Sequence, residues 1–275
     1  MPDANIDSLL HLRKGVFLDG QVKTYYSSSS KEMALKLKGL LEEMNTYYVE
    51  KYKKPFTIKL AVLDSSEWVT ELAPWRWNFF NNGWAIMGAS TDISFYFSDE
   101  QKYLLPQFIQ LLKEKNINQK EFIYAMSAII ALHESGHYYI MKKNGIAPSG
   151  CWFNEIAANC FYYNFLKHKG LNYFEIIKPY NLFLIENSKP IYTDLKTRDT
   201  SYAKMPETNY IWFSTITDMF PEKFYKEKGD TFLTYILNKY SGKKPAEIDL
   251  DESINDFDVF FDGKLKKWIA DWYKK

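Results

Sequence analysis

The pentapeptide HESGH at residues 133–137 constrains the fold of this chain more than any other feature. Two histidines four residues apart lie side by side on an α-helix, where positions i and i+4 are neighbours on one face. The surrounding segment, residues 120–143, carries apolar side chains at helical spacing. It ends in a basic turn followed by Gly145, which is typical of a helix C-terminus. The sequence therefore predicts a helix over 120–143 that presents His133 and His137 together.

Two imidazoles on one helix face can bind a single metal ion, and the Glu134 carboxyl then lies beside that ion. Zinc bound for catalysis takes three protein ligands and leaves one position open. The candidates for the third ligand are Glu155, His168, Asp194 and Cys151. Glu155 fits best, because the seventeen residues after His137 allow the first helix to end and an antiparallel helix, over residues 154–168, to return. An acid near a helix start is also favoured by the helix dipole alone, and this simpler interpretation of Glu155 stays open.

The sequence NEIAAN at residues 154–159, following HESGH, resembles the metal-binding signature of the gluzincin metallopeptidases, the thermolysin-like and aminopeptidase-like group. The resemblance implies a zinc site whose ligands are His133, His137 and Glu155. It implies that Glu134 is the catalytic base, and that Asn154 and Asn159 hold the ligands in place. In thermolysin-like members an Asp stands at the position of Asn159 and orients the first histidine. An amide can accept the same hydrogen bond, but without a charge.

Gluzincins also place a Tyr or His several tens of residues after the third ligand, on a helix that faces the metal. The corresponding stretch here contains two tyrosines, Tyr202 and Tyr210, and no histidine. Tyr210 begins a predicted helix over 208–220, with Thr208 or Asn209 as its cap. We therefore expect Tyr210 to stabilise the oxyanion, with Tyr202 as the competing residue, although a helical tyrosine can also serve only in packing.

The first hundred residues predict a small sheet with one helix, and helical periodicity dominates afterwards. The early elements are a helix over 31–53 and strands over 56–63, 84–87 and 93–97. The later helices are those over 120–143, 154–168, 208–220, 230–240 and 261–273. We predict an α+β fold, in which a small N-terminal mixed sheet with a helix precedes a mainly helical half. Residues 1–275 then form one catalytic domain of the zincin type, with a sheet lobe over 1–100, a helical lobe over 101–275 and the active-site cleft between them.

The charge balance argues against nucleic acid as a partner, because 35 basic and 34 acidic residues leave a net charge of only +1. The longest apolar stretch, Phe122 to Leu132, is too short to cross a bilayer. Cys151 and Cys160 would lie far apart on one helix, so no disulfide is expected. The first ten residues lack a signal-peptide pattern, which makes the cytoplasm the default expectation and export the alternative if a signal has been removed.

These patterns predict a zinc-dependent hydrolase that cleaves a peptide or protein substrate. Glu134 would activate water and the substrate would lie extended along an edge strand. One alternative is a binding protein that holds zinc without catalysis. Another is a carbohydrate-binding protein, because 18% of the residues are aromatic and Trp75, Trp77 and Trp84 cluster in sequence.

Overall fold

The computed structural model describes most of the chain, in eight stretches. These are residues 6–54, 58–67, 79–81, 83–97, 99–140, 151–201, 204–243 and 249–272. Within them the chain forms a five-stranded sheet and twelve α-helices. The strands are β1 (Val16–Leu18), β2 (Lys23–Tyr26), β3 (Lys59–Leu63), β4 (Phe79–Asn81) and β5 (Trp84–Gly88). The helices are α1 (Ile6–His11), α2 (Lys31–Tyr52), α3 (Leu105–Glu114), α4 (Gln119–Tyr138), α5 (Cys151–Lys169), α6 (Tyr173–Asn187), α7 (Leu195–Ser201), α8 (Glu207–Asp218), α9 (Phe220–Lys228), α10 (Thr231–Tyr240), α11 (Leu250–Phe260) and α12 (Leu265–Trp272).

The sheet is mixed, with the strand order β1-β2-β3-β5-β4. The three central strands, β2, β3 and β5, run parallel, and the two edge strands pair antiparallel with their neighbours. All five strands precede residue 90, and helices form most of the chain after residue 104. The predicted α+β fold, a small N-terminal mixed sheet followed by a mainly helical half, is therefore confirmed.

Both faces of the sheet are buried, because successive side chains of a strand point to opposite sides. In β3, Leu60 and Val62 join the main core, whereas Ala61 and Leu63 belong to a second, smaller cluster. Helix α1 contributes Ile6 and Leu10 to that cluster, and Trp84 is fully buried in it. The sheet is therefore a middle layer between α1 and the rest of the molecule.

Helix α2 joins the sheet to the helical half. It occupies nearly the whole of the predicted 31–53 segment and packs on β2, β3 and α4. The hydroxyl group of Tyr48 donates a hydrogen bond to the carbonyl of Phe161 in α5. Lys51 forms an ion pair with Asp230, just before α10. Residues from the sheet and from the helices accordingly belong to one continuous apolar core.

The strand predicted over 93–97 was wrong, because this segment forms a 3₁₀-helix, Ile93–Tyr96. The Asp92 side chain accepts a hydrogen bond from the backbone N–H of Ser94 at 2.8 Å, and its other oxygen accepts from the Ser94 hydroxyl group at 2.6 Å. A short aspartate that binds the backbone two residues later favours a turn over an extended strand.

The helices that carry the predicted site differ from their predicted limits. Helix α5 begins at Cys151, three residues early, so Glu155 lies in its second turn rather than its first. Helix α4 covers the motif, and the predicted basic end of the segment, at 142–145, lies outside the described residues. Helix α8 ends at Asp218, and a further helix, α9, follows at once with a proline in its first turn.

The predicted cap of α8 was also wrong. The helix begins at Glu207, and neither Thr208 nor Asn209 precedes it. Asn209 instead binds the segment before α7: its Oδ1 accepts from the backbone N–H of Ile191 at 2.9 Å, and its Nδ2 donates to the carbonyl of Tyr192 at 2.7 Å. These two bonds hold α8 against the chain that leads into α7.

Candidate metal centre

The last two turns of α4 carry both histidines of the HESGH motif on one side of the helix. The ring centroids of His133 and His137 lie 4.4 Å apart, and the ring planes are nearly perpendicular, at 86°. The helix is capped at its start by Asn118, whose side chain accepts a hydrogen bond from the backbone N–H of Lys120 at 2.8 Å. Both imidazoles lie on the same side of α4, as their i, i+4 spacing predicts.

Glu155 brings a carboxylate to both rings from the neighbouring helix α5. Its Oε2 lies 3.2 Å from Nε2 of His133 and 3.7 Å from Nε2 of His137. One ligand atom from each residue can be chosen so that all three lie within 4.8 Å of one another. The structure thus brings together the three residues that the sequence predicts as metal ligands.

Close packing of α4 on α5 places Glu155 at this distance. Gly136, inside the motif, faces α5, and a Cβ atom built on it would lie 3.0 Å from Cα of Ala158 and 3.2 Å from Cβ of Phe161. Such contacts are too short for real side chains to keep without movement. The glycine of the motif therefore sets the separation between the histidines and the carboxylate.

Asn159, one turn after Glu155 in α5, holds the ring of His133. Its Oδ1 lies 2.6 Å from Nδ1 of His133. An amide oxygen only accepts, so His133 donates from Nδ1, and Nε2, which faces Glu155 and His137, is the nitrogen available to a metal ion. This is the contact that the prediction for Asn159 requires.

His137 is held less completely than His133. Its buried Nδ1 forms no hydrogen bond of normal geometry with the residues that the structure describes. Burial and the charge of His133 lower the pKa of His137 to about 4, although the nearby Asn154 side chain acts in the opposite direction. His137 is therefore neutral at neutral pH, which is the form of imidazole that binds metals. Asn154 lies next to the imidazole of His137, where the prediction for it requires.

His133 and Glu155 have opposite pKa shifts. Burial alone would lower the pKa of His133, but the hydrogen bond and negative charge of Glu155 outweigh it and raise the pKa to about 9. Burial would raise the pKa of Glu155, but the two imidazoles lower it to about 2.

Two imidazole nitrogens and one carboxylate oxygen converge here, and this is a ligand set of catalytic zinc. The residues present therefore fit a zinc ion.

Glu134 lies beside the cluster and lines the same cavity as His133 and Glu155. Burial raises the pKa of Glu134 to about 7, with the positive charge of His133 acting against the rise and the negative charge of Glu155 adding to it. A carboxyl group with a pKa near neutrality can both accept and return a proton at neutral pH. The group predicted as the base therefore has suitable chemistry and lies at the metal centre.

Tyr210, in the first turn of α8, stands at the edge of this cavity and is 42% exposed. Burial of the phenol end, together with the negative charges of Glu155 and Glu134, raises the pKa of Tyr210. The hydroxyl group therefore keeps its proton at neutral pH and can donate a hydrogen bond. Tyr202, the competing residue, lies outside the described residues.

One residue that the sequence analysis missed is a buried arginine near Glu155. Arg198, in α7, is 1% exposed and forms an ion pair with Asp199 at 3.2 Å. Its guanidinium group lies 5.7 Å from the ring centroid of Phe213 and adds to the lowering of the Glu155 pKa. The sequence contains a signal for Arg198, because arginine is rare in this lysine-rich chain and is the cation that proteins prefer for buried ion pairs.

The second missed residue is Asp218, the last residue of α8. Asp218 lines the cavity together with His133. Burial raises the pKa of Asp218 to about 7 and the negative charge of Glu155 adds to the rise, while the charge of His133 and the nearby amides of Asn181 and Asn159 act to lower it. Neither the motif nor the helical periodicity of α8 indicates this position.

The cavity extends away from the motif between α4, α6 and α8 and has a volume of about 170 Å³. Its apolar wall includes Met126, Ile129, Ile130, Leu184 and Ile211. Asn181 and Asp218 form a polar part of the same wall. A substrate group bound at the metal centre could therefore extend into a mostly apolar space.

The other candidates for the third ligand do not join the cluster in the described part of the chain. His168 stacks on Tyr47, with ring centroids 4.3 Å apart. Asp194 is exposed and accepts a hydrogen bond from the backbone N–H of Thr197 at 2.7 Å. The side chain of Cys151 lies outside the described part, and Cys160 is a buried free thiol.

The three tryptophans of the carbohydrate-binding alternative do not form a described surface. Trp75 and Trp77 lie outside the described residues. Trp84 is fully buried in the small cluster between the sheet and α1. A ring that packs inside the protein cannot stack on a sugar, so Trp84 gives this alternative no support.

Comparison with models of protein families, with curated proteins and with solved structures found no match to this chain. Within the described ranges, none of the helices has the length and apolar content that crossing a membrane requires.

Proposed function

We propose that this chain is a zinc-dependent hydrolase that cleaves peptide bonds, with His133, His137 and Glu155 as zinc ligands and Glu134 as the base. The observation that carries the proposal is the convergence of two Nε2 atoms and one carboxylate oxygen, with a fourth side chain, Glu134, beside them. Among the described residues the cluster has three protein ligands, and a site with three supports catalysis rather than a purely structural role, for which zinc usually has four.

The residues around the site fit general acid–base hydrolysis. When bound, zinc polarises a carbonyl group and lowers the pKa of water. Glu134 accepts a proton from the attacking water while the water oxygen bonds to the carbonyl carbon. Tyr210 donates a hydrogen bond to the negative charge that develops on the carbonyl oxygen. Glu134 then returns the proton to the leaving amine as the C–N bond breaks.

The sheet offers a position for an extended peptide. Strand β4 is an antiparallel edge strand, and both β4 and β5 contact α4. An edge strand has backbone groups without strand partners on its outer side, and an extended peptide can pair with them. We therefore infer that the substrate backbone lies along β4, with one side chain entering the apolar cavity.

The test begins with protein purified without chelator. We expect about one zinc per chain by elemental analysis and cleavage of a mixed-peptide library. His137→Ala should lose the metal, whereas His168→Ala, a matched substitution of an exposed histidine outside the cluster, should keep it. Full zinc occupancy in His137→Ala would contradict the ligand assignment.

A second substitution separates chemistry from metal binding. Glu134→Gln keeps the shape of the side chain and all three ligands, so zinc should remain while turnover falls by about 10²–10⁴-fold. Turnover at the wild-type rate would show that the base lies elsewhere. Zinc binding without cleavage of any peptide would favour the binding-protein alternative.

A further inference from the structure

The cavity beside the candidate metal centre has a polar inner end as well as an apolar wall. Tyr210, in the first turn of α8, is 42% exposed and marks the open end of the cavity. Asp218 lines the same cavity at the end of α8, about 12 Å further along the helix axis. Aliphatic side chains of α4, α6 and α8 form much of the wall. A side chain that enters beside Tyr210 therefore passes an apolar stretch before it meets the carboxyl group of Asp218.

The ionisable groups of the cavity wall are mostly acids. Three carboxyl groups, those of Glu134, Glu155 and Asp218, are among the described residues that line the cavity, and no lysine or arginine is among them. Zinc would compensate the charge of Glu155, and Glu134 is the proposed base. Within the described ranges, Asp218 forms no ion pair with a lysine or arginine. Asp218 is therefore the acid of the cavity that lacks a compensating cation.

Two further polar groups in the cavity wall have no hydrogen bond of normal geometry within the described residues. They are the hydroxyl group of Tyr162 and Nδ2 of Asn181, and the two side chains are buried, at 0% and 2% exposure. The hydroxyl groups of Thr215 and Thr217, in the same wall, each donate to a carbonyl of their own helix. Buried polar groups in proteins are normally paired. Tyr162 and Asn181 therefore offer hydrogen bonds to a group that enters the cavity.

The size of the cavity fits one long side chain. Its volume is about 170 Å³, and an apolar cavity of about 150 Å³ is large enough to bind benzene. An apolar side chain would match the wall but leave Asp218 buried without a partner, which is unfavourable. Lysine and arginine carry a cation at the end of an aliphatic stem, so the stem matches the wall and the cation matches Asp218. A cation beside the carboxyl group also favours its ionised form.

We propose that Asp218 is the specificity-determining residue of this cavity, and that the enzyme selects peptides with a lysine or arginine next to the cleaved bond. The inference rests on the proposed function, because the cavity opens at the proposed catalytic centre. It gives Asp218 contact with a substrate side chain and no part in binding zinc or in transferring the proton. With an uncharged residue in place of Asp218, the same cavity would select an uncharged side chain of similar length.

The first experiment tests the cavity without catalysis, in protein freed of metal by chelator. N-Butylguanidinium and N-butylurea have nearly the same shape and differ in charge. We expect the wild type to bind N-butylguanidinium about tenfold or more tightly than N-butylurea in an NMR titration, because hydrogen bonds between charged groups are the stronger ones. Asp218→Asn keeps the size of the side chain and should lose this preference. Asp262→Asn, the same change at an exposed position, should keep it.

The second experiment uses the zinc-loaded enzyme and matched peptides that carry either lysine or norleucine next to the cleaved bond. Norleucine has the stem of lysine without the ammonium group. The wild type should cleave the lysine peptide with a kcat/KM about tenfold or more higher, and Asp218→Asn should prefer the norleucine peptide, with its zinc content unchanged. A reversed preference separates a specificity role from a structural one, because partial misfolding lowers both rates together.

The outcomes separate this inference from the proposed function. If the wild type cleaves no peptide but distinguishes the two probes through Asp218, the proposed function fails and the cation site stands. Equal binding of the two probes by the wild type would overturn the inference, as would a wild-type preference for norleucine or a probe preference that survives in Asp218→Asn. The comparisons on the wild type need no variant, so they decide the matter even if Asp218→Asn does not fold.

Discussion

Tyr210 borders the same cavity as Glu134 and Glu155, so its hydroxyl group can reach a substrate bound there. A donor that acts only on the developing oxyanion stabilises the transition state and not the bound substrate. Tyr210→Phe should therefore lower kcat by about 10²–10³-fold while KM and zinc content stay nearly unchanged. Steady-state kinetics on any cleaved peptide would measure the two constants. Normal turnover in Tyr210→Phe, together with loss in Tyr202→Phe, would assign the role to Tyr202.

His133 also gives the metal centre a defined pH dependence. In the metal-free protein His133 has a raised pKa, about 9, and therefore carries a proton at pH 7 that zinc must displace. Apparent zinc affinity should rise about tenfold per pH unit between about pH 7 and 9 and level off above that range. Calorimetric titration in buffers of different ionisation enthalpy would count the protons released. No dependence on pH below 9 would contradict the assigned charge of His133.

His133 and Glu155 also make the stability of the metal-free protein depend on pH, His133 at high pH and Glu155 at low pH. A raised pKa means that the contribution of protonated His133 is complete below about pH 6.5 and is lost as the pH rises through about 9. The lowered pKa of Glu155 means that its contribution is complete above about pH 4.5 and is lost as the pH falls through about 2.

At the scale of elements, the contact between α4 and α5 depends on one glycine. In Gly136→Ala the new Cβ would meet the backbone of Ala158, at 3.0 Å from Cα and 3.1 Å from the carbonyl oxygen. Backbone cannot move aside as a flexible side chain can, so α5 must shift and carry Glu155 away from the histidines. We expect a loss of about 1–3 kcal/mol in the free energy of unfolding and weaker zinc binding.

Gly39→Ala is the matched control for that substitution. Gly39 lies inside α2, and its Cβ would meet nothing within 4 Å. Alanine is a better helix former than glycine, so this variant should gain about 0.5–1 kcal/mol. Urea unfolding of both variants measures the two changes. Equal effects would show that the contact at Gly136 is not tight.

The elements carrying a strong pattern could be predicted from the sequence. Helix α2 and the motif helix α4 have long helical periodicity, and Gly170, with φ of 67°, ends α5 where the sequence predicts. The structure also has elements that were not predicted: the strands β1, β2 and β4 and the helices α1, α3, α6, α7, α9 and α11. Strands of three or four residues are too short to show a period, and α9 and α11 bury only three and two side chains, too few to mark a helical face.

The proposed metal ligands could be predicted from the sequence, whereas Asp218 and Arg198 could not. His133 and His137 lie within one helical turn, and the chemistry of zinc specifies what the third ligand must be. Asp218 and Arg198 reach the site from α8 and α7, far along the chain, and only the packing of these helices on α5 brings them there. No pattern among neighbouring residues in the sequence indicates such a contact.

At the scale of the whole molecule, the sheet and the helices share one core, so the predicted lobes 1–100 and 101–275 should not unfold separately. The Tyr48–Phe161 hydrogen bond and the Lys51–Asp230 ion pair connect residues more than one hundred positions apart. We expect one cooperative thermal transition, with equal calorimetric and van 't Hoff enthalpies. Two resolved transitions would show that the lobes are independent units.

Zinc should act on that single transition as a ligand of the folded state. Binding to the native protein alone raises stability by about 2.7 kcal/mol when free zinc is one hundred times Kd. The midpoint temperature should therefore rise with zinc concentration and fall back on addition of chelator. In His137→Ala the midpoint should not respond to zinc.

Two of the buried tryptophans lie on helices that border the proposed metal centre. Trp152 precedes Glu155 by three residues in α5, and Trp212 follows Tyr210 by two residues in α8. Both are almost completely shielded from solvent, at 0% and 2% exposure. Any shift of α5 or α8 on metal loading changes the surroundings of an indole ring. The intrinsic fluorescence of the protein can therefore follow loading in real time, without a dye or a label.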